Sequence, residues 1–152
     1  MKLAAIAALV TAVCVVAPPP ATSEARSRQV DAEVLKRGRA RPSGTGNIGI
    51  YVASRREYRR QWERFGYRSG PPAVDFAERR VAFVATAESS SCPLRFSRAT
   101  VRREYERLVI HLSDGASSTD ACTDDLAPRS FVISLDRSDL PRGDLAVRIR
   151  RH

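Results

Sequence analysis

The sequence predicts an α+β fold that is mostly antiparallel β: a compact sheet or sandwich of about six to seven strands with one helix packed on it. Most apolar segments are short and alternate with polar residues at a period of two, which is typical of strands. Only one segment has helical spacing, whereas a parallel β-α-β series needs a crossover helix at each step. The connections are short and rich in turn residues, which favours antiparallel pairing.

Two strands are predicted before the helix. The first is a short strand at Val30–Leu35, and the second is Asn47–Ala53. The second strand places three β-branched side chains on one face, namely Ile48, Ile50 and Val52.

The one predicted helix begins after Ser54. Ser54 is placed to act as N-cap, and Glu57 three residues later completes a capping-box pattern, while Gly66 is placed to stop the helix. An aromatic stripe follows at helical spacing: Tyr58, Trp62 and Phe65. Such a stripe could form a ligand platform, but this spacing is more typical of the face that docks on a sheet, so we expect core packing.

The strand predicted after the helix, Arg80–Ala87, is apolar on both faces, which indicates a central strand covered on both sides. Four further strands are predicted after it: Leu94–Arg102, Arg107–Leu112, Ser130–Leu135 and Leu145–Ile149. Ser113–Arg129 is predicted to be a polar loop. In the last strand, three side chains are expected to face outward: Arg148, Arg150 and Arg151.

Residues 1–25 have the pattern of a signal peptide. Lys2 precedes an apolar run, Leu3–Ala17, and a proline run then breaks the helix. The apolar run is shorter than the roughly 20 residues that span a bilayer, so no membrane anchor is expected after cleavage. Cleavage after Ser23 and cleavage after Ala25 both fit the small-residue rule. The remaining residues, 26–152, are predicted to form a single globular domain in an extracytoplasmic or secreted protein.

The cysteines support the same compartment. Cys14 follows Val13 inside the apolar run, whereas a lipid-modified cysteine normally follows a small residue, so we expect it to be removed with the leader. Cys92 and Cys122 then remain, and an even count in an exported chain indicates a disulfide. A redox pair is the alternative, but the two are not in a Cys-x-x-Cys arrangement. Closing a loop of this length stabilises a fold by roughly 3–4 kcal/mol on the chain-entropy account.

The formal net charge of +9 comes almost entirely from arginine, since lysine occurs only at Lys2 and Lys36. Many arginines are adjacent to acidic residues, as in Arg56-Glu57 and Glu78-Arg79. This pattern predicts dispersed charge and attraction to anionic surfaces. Proteins that bind nucleic acids specifically carry a basic patch with interleaved aromatic residues, so no specific nucleic-acid binding is predicted.

No catalytic residue is predicted. His111 is the one histidine before the last residue, and a Ser-His-Asp arrangement would have to recruit Ser89–Ser91 or Ser117–Ser118. No nucleophile-turn motif accompanies those serines. The strand pattern places His111 opposite Leu108, Ile110 and Leu112, so we expect a histidine on the sheet surface.

No metal or cofactor is predicted either. Asp120, Asp124 and Asp125 form an acidic segment, but it has no calcium-loop spacing, glycine or closing glutamate. The domain also holds too few histidine and cysteine ligands for zinc. A pair of carboxylates for glycoside hydrolysis stays open, because such partners meet only in the fold.

Five short motifs resemble the PrcB-type domain, a protease-complex-stabilising module of exported bacterial proteins. They are Val34–Gly38, Ser43-Gly44, Tyr58–Trp62, Pro72–Phe76 and Val81–Ala85, and the similarity in element order covers Val30–Ile149. The cysteine pair departs from that pattern, and no glycine-rich segment follows Ala87. The resemblance implies a β-rich fold and a protease partner, and it implies no catalytic residue. Trp62 and Phe76 are expected in the core, and Asp75 at a turn or as a cap where the chain enters a strand.

The leading hypothesis is a secreted, non-enzymatic domain that binds an extracytoplasmic protein, either a protease or an envelope component. The alternative is a cationic, cell-envelope-associated protein held to anionic polymers by its arginines, and steep salt dependence would distinguish it. A small hydrolase is a third hypothesis, which would need a cleft with converging polar groups.

Overall fold

In the part of the chain that the structure describes, eight strands form two four-stranded sheets, and one α-helix lies on the outside of one of them. The computed structural model describes residues 27–39, 46–102, 104, 106–115 and 122–152, so the predicted leader, with Cys14 and both cleavage positions, lies outside the described residues. The elements are β1 Arg28–Val30, β2 Ala32–Gly38, β3 Ile48–Val52, α1 Arg55–Arg64, β4 Arg79–Ser89, β5 Leu94–Arg102, β6 Arg107–Asp114, β7 Leu126–Asp136 and β8 Ala146–Arg151.

Sheet A has the strand order β1-β5-β6-β8, and sheet B has the order β2-β7-β4-β3. All neighbouring strands are antiparallel except β6 and β8, which are parallel. The predicted α+β class with mostly antiparallel strands and one packed helix is confirmed, in its sandwich form.

The two sheets enclose the main core. Strand β4 is buried on both faces, as predicted, with every residue from Val81 to Thr86 buried. Its Ala82 and Val84 face sheet A and pack with the inward side chains of β6 and β7. Phe83 points the opposite way, toward the helix. Successive side chains of β4 therefore pack alternately into two separate apolar layers.

The second apolar layer lies between α1 and the outer face of sheet B. Tyr58, Trp62 and Phe65 are all buried there against β4, which confirms the aromatic stripe as core. The Ser54 side chain accepts a hydrogen bond from the Glu57 backbone N–H at 3.3 Å, and Gly66 ends the helix with φ +74°. The helix is thus fixed at both ends over sheet B.

The segment after α1 follows the expectations in part. Asp75 forms the predicted turn, because its Oδ1 accepts from the Ala77 backbone N–H at 2.8 Å. Phe76 is half-buried at the edge of this layer and does not reach the interior.

Two predicted strand boundaries and one predicted side-chain orientation are wrong. The strand predicted at Val30–Leu35 is two strands in different sheets, because the chain crosses from sheet A to sheet B at Asp31. The loop predicted at Ser113–Arg129 is too long at both ends: β6 extends to Asp114, and β7 starts at Leu126, since β4 is long enough to pair with it from Ser89 onward. Arg151 does not face outward: its guanidinium reaches Thr86 and the Ala87 carbonyl of β4.

Within the described part of the chain, no helix combines the length and the hydrophobicity needed to cross a bilayer.

Candidate anion-binding face

The outer face of sheet A, on the side away from sheet B, carries a group of arginines. β5, β6 and β8 are neighbours there, with Arg98 opposite His111, Arg102 opposite Arg107, and His111 opposite Arg150. Five arginines point outward from these strands, and together they are called the arginine face: Arg98, Arg102, Arg107, Arg148 and Arg150. The other outward residues in the same cross-strand rows of β5, β6 and β8 are Thr100, Val109, His111 and Ala146, and none of them is acidic.

A β-bulge in β5 creates part of this face. Leu94 and Phe96 point into the core, and strict alternation would then bury Arg98 and Arg102. The register shifts between Phe96 and Arg98, after which Ala99 and Val101 point inward. The extra residue thereby turns the arginines of β5 outward, as bulges do when they re-aim side chains.

The arginines of this face differ from the arginines elsewhere in their pairing. Arg28 binds Asp139 at 2.6 Å, Arg79 binds Asp31 at 3.2 Å, and Arg129 pairs with the buried Glu88. Among the described residues, Arg98, Arg102, Arg148 and Arg150 form no ion pair. Their positive charges are therefore available to an anion from solution.

The face is not flat. A depression of about 280 Å³ lies over the strands, and the five arginines line it together with Thr100, Val109 and His111. Guanidinium groups donate paired hydrogen bonds that match phosphate, sulfate and carboxylate oxygens. Such a depression suits an anionic group that lies across the strands.

His111 lies in the middle of this face, but it is buried, with only 5% of its surface exposed. Its Nε2 lies 3.0 Å from Thr100 Oγ1, and its Nδ1 lies 2.8 Å from Nε2 of His152. The His152 ring lies beside it in nearly the same plane, with ring centroids 5.1 Å apart and planes within 11°. Burial, followed by the charges of Arg98, His152 and Arg150, lowers the pKa of His111 to about 4.

The predicted position of His111 on the outer face of its strand is correct, but the side chain is covered by His152 and its neighbours. The serines considered as partners lie elsewhere. The hydroxyls of Ser89 and Ser91 interact with each other at 3.1 Å and with Thr123 at 3.0 and 3.1 Å. Ser117 and Ser118 lie outside the described residues. The described groups therefore do not assemble a Ser-His-Asp triad around His111.

Cys92 and Cys122 lie together, with their Sγ atoms 2.00 Å apart and their Cα atoms 5.6 Å apart. Cys92 is in the turn between β4 and β5, and Cys122 precedes β7. Both cysteines are remote in sequence from the arginines of β8. The disulfide joins the β4–β5 turn to the chain segment that enters β7. Its position indicates a brace for this turn.

The acidic segment beside the disulfide holds no grouped metal ligands. Asp125 accepts hydrogen bonds from Ser90 and Thr123, which lower the pKa of its carboxyl group, and Asp124 is exposed. Asp120 lies outside the described residues. Across the ranges that the structure describes, no three histidine, cysteine, aspartate or glutamate side chains are grouped to hold a metal ion.

A larger cleft of about 760 Å³ lies at one end of the sandwich. Tyr51 and Arg80 line one side of it, and a segment that includes the 3₁₀ turn Arg137–Asp139 lines the other. Its charged groups are of both signs, including Arg137, Arg142 and Asp144, so its field is weaker than that of the arginine face.

The expectation of dispersed arginine charge is therefore wrong for sheet A. Acidic residues do not pair with Arg98, Arg102, Arg148 and Arg150 among the described residues, because strand pairing decides which side chains share a surface. In the sequence, the arginine face is indicated only by the alternation of Arg148 and Arg150 with apolar residues and by the outward position of His111. The strand order and the bulge were needed to gather the rest.

No protein-family model matches the chain, and neither curated protein sequences nor solved structures give a match.

Proposed function

We propose that this protein is an extracytoplasmic, non-enzymatic binding module that holds anionic polymers of the cell envelope on the arginine face. The single observation that carries the proposal is the set of outward arginines on three adjacent strands with no acidic side chain among them. The secreted location rests on the signal-peptide pattern and on the cysteine pair.

The geometry favours a polymer over a single small ion. Arg98 and Arg150 lie on opposite sides of His111 across the sheet, and Arg102 lies four residues along β5 from Arg98. Neighbouring strands are about 4.8 Å apart and residues i and i+2 about 6.7 Å apart, so the charges spread over about 10 Å across the strands and about 13 Å along them. Repeating anionic groups can contact several guanidiniums at once, and each contact releases bound counterions.

The test compares two triple variants of equal net charge. Replacing Arg98, Arg148 and Arg150 with Gln removes charge from the arginine face, and replacing Arg55, Arg59 and Arg64 with Gln removes the same charge from exposed positions of α1. Binding to dextran sulfate, with uncharged dextran as a blank, is measured at several salt concentrations. We expect the first variant to lose roughly tenfold or more in affinity and the second to lose much less.

Equal losses in the two variants would contradict the proposal, because they would show that net charge acts without a specific surface. An affinity that does not fall as salt rises would contradict it as well.

A protein partner is the second candidate function. The resemblance to the PrcB-type domain suggests it, and the cleft at the end of the sandwich supplies a surface with charges of both signs beside Leu140 and Pro141. Surfaces of mixed charge favour specific protein contacts over general polyanion binding. Replacing Arg142 with Glu in the cleft, followed by recovery of partners from culture fluid, separates this candidate from the arginine face.

A further inference from the structure

The imidazole pair in the middle of the arginine face is held by the backbone of both strands. The backbone N–H of His152 donates to the Leu112 carbonyl at 3.0 Å, which continues the pairing of β8 with β6. The ring of His152 is thereby held beside that of His111, with the 2.8 Å contact between their nitrogens. The pair is a fixed part of the sheet.

His111 can gain a proton and keep its hydrogen bond to Thr100. A neutral imidazole donates through one nitrogen and accepts through the other, whereas the charged form donates through both. The Thr100 hydroxyl can accept from Nε2, and Nδ1 can donate to Nε2 of His152 only where that nitrogen carries no hydrogen. What opposes the charged form is therefore burial and the positive charge of its neighbours.

The charged groups that face His111 come from both adjacent strands. Arg98 lies opposite it on β5, and Arg150 lies opposite it on β8, followed by His152. Together with burial, which is the largest cause, these groups lower the pKa of His111 to about 4. An anion bound across Arg98 and Arg150 would offset the part of this shift that comes from their charges.

We propose that binding of an anionic polymer to the arginine face is coupled to proton uptake by His111, so that the face holds its ligand more tightly in acidic surroundings. The inference rests on the proposed function, since it describes how the same surface is regulated. Thermodynamic linkage requires both directions: if the bound anion favours the protonated imidazole, the protonated imidazole favours the bound anion.

The expected effect is moderate, because a bound polymer leaves the burial of His111 in place. The pKa in the bound state then lies between the free value of about 4 and the ordinary value of about 6.5. The linkage predicts a gain in affinity of roughly 2- to 4-fold between pH 7.5 and pH 5.0. Below the free pKa, this coupling adds no further affinity.

The experiment is calorimetric titration of the full protein with dextran sulfate, whose sulfate esters stay ionised over this range. The titrations are run at pH 7.5 and pH 5.0 at constant ionic strength, in two buffers of different ionisation enthalpy, so that proton uptake is measured directly. The readout is the ratio of the affinities at the two pH values, compared between the wild type and His111→Gln. We expect the ratio to fall close to one in the variant, and proton uptake at pH 5.0 to fall with it.

NMR titration of the His111 ring in the wild type, with and without dextran sulfate, gives the same answer if the variant fails to fold. An upward shift of the titration midpoint supports the coupling. No proton uptake, an unmoved midpoint, or an equal ratio in His111→Gln overturns it. Absence of binding at pH 7.5 in low salt would instead overturn the proposed function, whereas binding at pH 7.5 without proton uptake overturns the coupling alone.

Discussion

The two outer faces of the sandwich have opposite surface chemistry. On sheet B, Phe83 and Val81 of β4 point outward and are covered by the aromatic side chains of α1. On sheet A, five of the outward positions carry arginines, and no described helix or strand packs over them. One outer face thus contributes to stability by burial, while the other is left to solvent and to whatever binds it. The comparison separates residues that hold the fold from residues available for function.

Truncating the covered face gives the largest expected effect. Trp62 is 2% exposed and contacts Tyr58 and Tyr67 with ring centroids 5.9 and 4.5 Å away. Trp62→Ala removes these contacts and leaves a cavity, so we expect a loss of about 3–5 kcal/mol in the free energy of unfolding. Urea denaturation followed by far-UV circular dichroism measures it.

Arg59→Ala on the exposed side of the same helix is the control, with an expected change within about 0.5 kcal/mol. The comparison of the two faces fails if Trp62→Ala costs no more than Arg59→Ala.

Acidification acts on the other face. The pKa of His111 is about 4 in the folded protein and about 6.5 in the unfolded chain, so the unfolded chain takes up the proton first as pH falls. Stability should therefore decrease between pH 6.5 and pH 4 by up to about 3 kcal/mol and then level off for this group. Urea unfolding at a series of pH values measures the slope, and His111→Gln should flatten it. A slope that is the same in the variant would assign the loss to other groups.

The edge where the two sheets meet is tested by Gly49→Ala. A Cβ on Gly49 of β3 would lie 2.8 Å from Val147 Cβ and 2.9 Å from the Val147 carbonyl oxygen of β8. Because the carbonyl cannot move aside like a flexible side chain, we expect a loss of about 1–3 kcal/mol, measured by thermal unfolding.

Gly70→Ala, where no atom lies within 4 Å of the added Cβ, is the matched control and should be nearly neutral. Val147→Ala in the Gly49→Ala background should restore only part of the loss, since the contact with the carbonyl remains. Complete restoration would show that the backbones of β3 and β8 are not closely packed at this point.

The smallest effect on stability is expected on the arginine face itself. Replacing Arg148 with Gln, where the side chain is exposed, should change the unfolding free energy by about 0.5 kcal/mol or less, because it removes like-charge repulsion and no buried contact. Thermal unfolding in parallel with dextran sulfate binding measures both properties. A large loss of stability would mean that this face holds the fold together as the covered face does.

The sequence predicts the covered face better than the arginine face. Tyr58, Trp62 and Phe65 have a spacing that identifies a buried helical stripe without any knowledge of the sheet, because helical periodicity is local. The arginine face depends on three strands that are distant in the chain. Alternation alone places Arg148 and Arg150 outward, but it places Arg98 and Arg102 inward, because a bulge is not visible in the pattern of polar residues.

The remaining errors have the same origin. The break at Asp31 lies inside a stretch that alternates between polar and apolar residues without interruption, and nothing local shows that Val30 and Ala32 belong to different sheets. The start of β7 contains Pro128 and follows the polar run Thr123–Asp125, so its residues are typical of a loop, and only the length of β4 provides a pairing partner for them. Tertiary pairing therefore decides what local propensity leaves open.

The parallel pairing of β6 and β8 makes the arginine face depend on an edge strand. A parallel pair cannot form through a tight turn, and the chain between these two strands passes through β7 of sheet B before it returns to sheet A. The pairing must therefore close a loop that includes a strand of the other sheet, and this closure costs chain entropy. Arg148 and Arg150 lie beside β6 only while β8 is docked, so detachment of this edge strand would remove two of the five charges from the cationic surface.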